Sequence, residues 1–371
     1  MKQSRLLVRM DAAIAASTSQ VSSDCLRAER ACYLARRGHF EEVRATLVEL
    51  RQRYSSSPNV AISAWLSLAE GLQIHFSNMG QLARDKIHRA YALSAAAGMT
   101  QLNAICAAWL ANMDYLIVDM VGMTHHVAQS LKIAQKDNHS ARARANLVVA
   151  HAYHLSGRLD LARPWYTRAH DHASSDGDDA TISALMHNMA WLRWANLRQE
   201  TYCGIPATPS GAHALVSVES TLQFDTLFGA TSLHALAPIL RAQVLSTKGD
   251  FKEALALYGQ YLAPAVLQGM GRLHASLLAD QAWCRIKLGH TEAALADALE
   301  SEGLVDSSGQ FDDRAPAHTR LAQVFSDLGI FDAAKRHAGL ASTAWAGHEK
   351  LQQKTIGLLS GMSEFGPTAP S

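Results

Sequence analysis

The chain has 371 residues, 48% hydrophobic and 18% charged, with a formal net charge of +1. That is ample apolar material for an extensive core and excludes a disordered or fibrous class, while the balanced charge gives no general drive toward a phosphate backbone. Residues 1–53 carry ten Lys/Arg against six Asp/Glu, a bias too small to make nucleic acid a direct partner.

Cys25, Cys32, Cys106, Cys203 and Cys284 form no C-x-x-C pair, and so sparse a set suits a reducing compartment, which predicts a cytoplasmic protein. Residues 1–11 lack an uninterrupted apolar core of signal-peptide length, and no later stretch holds 18 uncharged apolar residues, so neither export nor a membrane partner is expected.

Along the chain, residues 5–16 read as an N-terminal capping helix, and a repeated helix pair follows. In each pair a Gly ends the first helix, a small residue follows five places on, and apolar or small residues recur four and seven places after that. Gly38-His39-Phe40 leads to Val43, Leu47 and Leu50, Gly80 opens a second pair, and Gly122 leads to Val127, Leu131 and Ala134. The clearest copies follow Gly157 (Ala162, Tyr166, Ala169), Gly249 (Ala254, Tyr258, Tyr261), Gly289 (Ala294, Ala298, Ser301) and Gly329 (Ala334, Ala338, Ala341).

A second ruler is the small residue where the two helices of a pair cross. Ala31, Gly71, Ala111, Ala150, Ala190, Ala242, Ala282 and Ala322 are spaced by 40, 40, 39, 40, 52, 40 and 40. The long interval falls on residues 198–211, whose two Pro and two Gly predict an enlarged loop. The last second helix and a terminal cap run from Phe331 to about Leu359, and residues 361–371 read as a flexible tail. A 40-residue period leaves helices of roughly 16–17 residues. Because each pair can bury its faces only against its neighbours, residues 1–360 are expected to form one domain, with repeats over about 20–345.

These residues resemble the tetratricopeptide-repeat superfamily. The 40-residue period is most similar to the sensor domain of the bacterial maltose-regulon transcription activator family. The resemblance implies an all-α, tetratricopeptide-like alpha-solenoid, a right-handed superhelix of about eight helix pairs with terminal capping helices. In that family the superhelix follows a nucleotide-binding module, precedes a DNA-binding module, and senses a small effector or an inhibitory protein. Neither companion is found here: there is no G-x-x-x-x-G-K-[ST] phosphate loop, and no room for a DNA reader after residue 345.

The resemblance also implies that first helices line a concave face, at positions about one and four residues after the small marker and three and six before it. That places Trp65, His75, Asn112 and Tyr115 on the wall of the early units, and Arg144, His151, His154, His187, Trp191 and Trp194 on the central ones. Gln243, Trp283, Lys287 and Gln323 fall on the late ones. Stiff aromatic side chains supply contact area with few rotors, so a groove for a peptide or flat ligand follows. The competing reading is that a tightly wound superhelix buries this wall against itself, with the tryptophans serving as core.

Three imidazoles, His151, His154 and His187, could in principle meet at zinc, but no H-E-x-x-H accompanies them, and His170, His172 and His125-His126 read as exposed histidines. Asp176-Gly177-Asp178-Asp179 lacks the bidentate Glu of a calcium loop and reads as a helix cap instead. No nucleophile motif is present, so no catalytic, metal or cofactor residue is assigned.

The expected function is a protein-binding or effector-sensing module that regulates a protein partner through its groove, taking a peptide or a small effector. A constitutive adaptor or assembly scaffold is the alternative, and a metal-dependent enzyme a remote third.

Overall fold

The computed structural model describes residues 4–203, 213–229, 231–305, 310–362 and 365. Among these, seventeen α-helices form eight antiparallel pairs behind one capping helix. The cap is α1 (Arg5–Ala16). The pairs are α2 (Gln20–Arg37) with α3 (Phe40–Arg53), α4 (Val60–Asn78) with α5 (Leu82–Ala96), α6 (Thr100–Leu116) with α7 (Met120–Ile133), and α8 (His139–Leu155) with α9 (Leu159–Asp176). There follow α10 (Asp179–Tyr202) with α11 (Ala214–Phe228), α12 (Leu236–Lys248) with α13 (Phe251–Leu267), α14 (His274–Lys287) with α15 (Thr291–Val305), and α16 (Phe311–Asp327) with α17 (Phe331–Ser360). None of the described helices is long and apolar enough to cross a membrane.

Local chemistry sets the helix ends. Asn59, Asn138 and Asp178 cap α4, α8 and α10 by accepting from Ala61, Ala141 and Thr181 amides. Gly38 and Gly249 end α2 and α12 in the left-handed region that glycine adopts without a Cβ penalty. In the second and third pairs that position falls instead on Met79 (φ 51°) and Val118 (φ 62°).

The Gly122 assignment is thereby corrected. Gly122 lies inside α7, whose N-cap is Asp119, and the turn residue is Val118, one helical turn earlier. A shift of four keeps the same helix face, which is why Val127, Leu131 and Ala134 are buried as expected.

The small-residue ruler marks real crossings. Ala31, Gly71, Ala111, Ala150, Ala190, Ala242 and Ala282 are buried, and a Cβ on Gly71 would lie 2.6 Å from Ile87 Cγ1 and 3.0 Å from the Ala83 carbonyl of α5. The last pair departs from it. Ala322 is only half-buried, Ala338 is exposed, and Ala333 and His337 pack inward where Ala334 and Ala338 were expected. His337 stacks on Phe325 and meets His318, Nδ1 to Nδ1, at 3.0 Å. Here α17 is turned so that its C-terminal half seats on α7 and α8.

The superhelix closes on itself after five pairs. Ser232 Oγ donates to the Arg36 carbonyl at 2.8 Å, and the Thr231 amide donates to the Arg37 carbonyl at 3.0 Å. Gln310 Nε2 donates to the Leu116 carbonyl at 3.0 Å, and Gln352 Nε2 to the Leu155 carbonyl at 2.7 Å. Between these points, Gly269 lies so close to the end of α4 that a Cβ would collide with the Asn78 carbonyl and the Met79 side chain. The C-terminal carbonyls of α2, α6 and α8 are thus met by residues 194 to 197 positions further on, about five 40-residue periods.

Two other sequence expectations change. The segment 198–211 begins as helix rather than loop, because α10 runs through Arg198 to Tyr202, and residues 204–212 lie outside the described residues. The segment 361–371 is not wholly a free tail: Met362 is buried, Phe365 packs on the central core, and the Phe365 carbonyl accepts from Arg168. Its remaining residues, apart from Gly361, are outside the described set.

Gly269→Ala tests the closure. Residue 269 has a φ of 105°, so alanine adds backbone strain to the collision with α4 and should cost about 2–4 kcal/mol. Gly157→Ala, at a φ of 72° with nothing within 4 Å of the added carbon, should cost only about 1–2 kcal/mol. Thermal denaturation of both variants measures the difference.

A closed axial cavity

Closure converts the concave face into an interior. In α8 every residue from Ala141 to Leu155 except Arg142 is buried, so this first helix is enclosed on all sides rather than amphipathic. What remains of the groove is a cavity of about 470 Å³ between the two superhelical turns. The first turn contributes His75 and Phe76 from α4, Trp109, Asn112 and Tyr115 from α6, Arg144 and His151 from α8, and Ser183 and His187 from α10. Asp225 of α11 and the strap Thr231–Leu236 close the opposite side. A smaller hollow of about 150 Å³ adjoins it, sharing Tyr115, His151 and His187 and adding Trp191, Gln243 and Met270.

The charged groups of this cavity are unevenly matched. Arg36 pairs with Asp178 at 2.7 Å, and Asp178 is further held by the Thr181 hydroxyl at 2.8 Å. Asp225 accepts from Ser183, and burial pushes its carboxyl pKa up. Arg144 is different. Its guanidinium sits 4.0 Å from the Trp109 ring centroid, the residue is 5% exposed, and Nε and Nη2 have no hydrogen-bond partner among the described residues. Burial, with a smaller effect from the Arg36 charge, pulls its pKa down to about 9.

Burial also holds the imidazoles neutral. His75 is lowered to about 4 by burial and then by Arg144, and His187 to about 4 by burial. His151 is pulled well below its ordinary value, by burial first and then by the Arg144 charge, and its Nε2 is unpartnered among the described residues. The cavity therefore offers aromatic walls, neutral imidazoles and one unmatched cation.

Of the concave residues expected from sequence, His75, Asn112, Tyr115, Arg144, His151 and His187 share the larger cavity, while Trp191 and Gln243 face the smaller one. Trp65 lines a separate hollow beneath α1, with Tyr33 and Glu29. His154 is not on the lumen: it is 1% exposed, and its Nδ1 meets the Tyr166 hydroxyl at 3.1 Å.

Trp194 is core, 1% exposed, packed with Ala190, Val218, Leu240 and Val244 and covered by Arg198 at 3.9 Å. Trp283 lies between Lys287 and Arg320 in the late units, Lys287 pairs with Asp327 at 2.6 Å, and Gln323 accepts from Arg320. The extended end of α10 is the reason. Arg198 reaches Ser276 of α14, and Tyr202 meets Arg320 and Trp345, so this helix fills the late part of the groove.

Among the described residues no group of three or more His, Cys, Asp or Glu is arranged to hold a metal. His125 and His170 are exposed as expected, whereas His172 is engaged with His139 and His126 with Asp114. Asp178 caps α10 as expected. Trp109, Phe76, Arg36 and Asp225 were missed. Their positions fall off the concave register, and Asp225 belongs to a second helix.

No family model matches the chain, and no curated protein matches it. Among solved structures, the chain is similar to a Rap protein whose crystal structure was determined in complex with competence and sporulation factor, with 12% identity and a TM-score of 0.57. The match covers 94% of this chain and all of that one. It establishes the helical-repeat fold.

Two outcomes follow from the burial pattern. Trp194→Ala should cost about 3–5 kcal/mol in thermal or denaturant unfolding, as for a large core aromatic. Stability should also fall as pH drops from about 6.5 toward 4. The unfolded chain takes up protons in that window that folded His75, His154 and His187, each lowered to about 4, do not accept. Melting temperature against pH measures it, and His187→Gln should flatten the slope.

Proposed function

We propose that the chain is a regulatory binding module whose axial cavity takes a small effector or a short peptide and whose outer surface engages a protein partner. The carrying observation is the cavity itself. Its volume of about 470 Å³ lies in the range of small-molecule sites, and its mix of aromatic wall and a few convergent polar groups is what such sites use for affinity and orientation.

The limited volume favours a compact ligand or short peptide over a long one. The similar Rap structure, described as a complex with a factor, and the resemblance to effector-sensing domains of 40-residue period both support a binding role over catalysis. An occupant would touch the first superhelical turn through α4, α6, α8 and α10 and the second through the strap. It would therefore favour one spacing of the turns, and small rotations between repeats add along a solenoid. A constitutive scaffold, with no ligand, is the competing reading, because closure leaves the outer helices and the ends as partner surfaces.

Ala184 faces the cavity from α10, so Ala184→Phe fills it. Native mass spectrometry of protein purified from its own host should show a small molecule retained stoichiometrically by the wild type and absent from a folded Ala184→Phe variant. A wild type that carries nothing, with partner binding equal in both proteins, would leave the scaffold reading.

A further inference from the structure

Resting on the cavity reading above, we infer that its ligand carries a single carboxylate, bound by the guanidinium of Arg144, whose planar set of N–H donors matches the two oxygens of a carboxylate. Arg144 lines the cavity and is 5% exposed, and its Nε and Nη2, which have no accessible surface and no hydrogen-bond partner among the described residues, leave the cation without a counter-charge of its own.

An isolated buried guanidinium is strongly disfavoured unless an anion compensates it, and the described residues supply none in hydrogen-bonding range. Asp178 is committed to Arg36 and Thr181. Asp225, the carboxylate lining the cavity, is bonded to Ser183. Trp109 covers one face of the guanidinium at 4.0 Å from its ring centroid, which fixes the plane of the guanidinium without using its donors.

The ligand's charge and body follow from the rest of the wall. Besides the Arg36–Asp178 pair and Asp225, the titratable side chains facing the cavity are Tyr115 and the histidines His75, His151, His187 and His234, and burial keeps the first three of these imidazoles neutral. One unmatched positive charge suits one negative charge, so a doubly charged phosphate ester is poorly matched. Phe76, Tyr115 and Leu236 line the remaining space and suit an apolar or aromatic body.

The test uses 2-naphthoate, 2-naphthamide and 2-naphthyl phosphate as probes of one shape, titrated calorimetrically into wild type and Arg144→Gln. Wild type should bind the carboxylate at least about tenfold more tightly than the amide, and Arg144→Gln should abolish that preference while leaving amide affinity unchanged. Free of ligand, Arg144→Gln should melt at or above the wild-type temperature, because it removes an uncompensated buried charge. A clear fall in melting temperature would make Arg144 a structural residue and overturn the proposal.

Equal affinity for carboxylate and amide, tighter binding of the phosphate, or a preference that survives in Arg144→Gln would also overturn it. Amide binding in those cases would leave the cavity reading standing, whereas a wild type that binds none of the three would remove both. Should Arg144→Gln not fold, Arg144→Lys makes the same comparison, with a reduced carboxylate preference expected and an unchanged one overturning the proposal.

Discussion

A carbonyl in the last turn of an α-helix has no partner within its own helix and must find one elsewhere. In an open solenoid, water serves. Here the carbonyls of Arg36, Arg37, Leu116 and Leu155 are taken by Ser232, Thr231, Gln310 and Gln352, each from the element about five repeats further on. The donors recur at nearly the repeat spacing, so one geometric relation is used again and again between superhelical turns. Gly269, with no side chain, allows the same approach against the end of α4. These contacts fix the pitch, and the pitch decides that the concave face is an interior.

Once the lumen is closed, its side chains obey the rules of a core rather than of a surface. Imidazoles that would titrate near neutrality in a solvated groove are held neutral, and charged groups survive only when matched. Arg36 with Asp178, and Arg320 with Asp280 at 3.0 Å, meet that requirement, and each pair joins two first helices. Arg144 does not meet it among the described residues. Its placement costs stability that a hydrophobic residue of similar volume would not, and such a cost is characteristic of sites shaped for binding rather than for folding.

The repeat was legible because it is written in small residues, and small residues are demanded by direct crossing of two helices, as at Gly71 against Ile87. Eight pairs and their order follow from that spacing. The rotation of α4, α6, α8 and α10 was legible in part, which is why six expected wall residues meet in one cavity. Closure was not. It depends on Ser232, Gln310 and Gln352, ordinary polar residues whose partners lie 194 to 197 positions away, and no local pattern marks such a pairing. Trp194 and His154 were misplaced for related reasons: the first is covered by its own extended helix through Arg198, the second by Tyr166 of the paired helix. The last pair is shifted by one residue because α17 is rotated to seat its C-terminal half on α7 and α8.

The strap from Thr231 to Leu236 performs two tasks that are physically inseparable. Its hydroxyls and amide close the end of α2, and its side chains wall the cavity. Any occupant pressing on the strap therefore strains or reinforces the hydrogen bonds that hold the two turns at their spacing. The extended end of α10 adds a second connection, since the same helix lines the cavity at Ser183 and His187 and enters the late units at Arg198 and Tyr202. One helix touching both places is a contiguous physical connection between them. The fold thus joins the lumen physically to α14, α16 and α17.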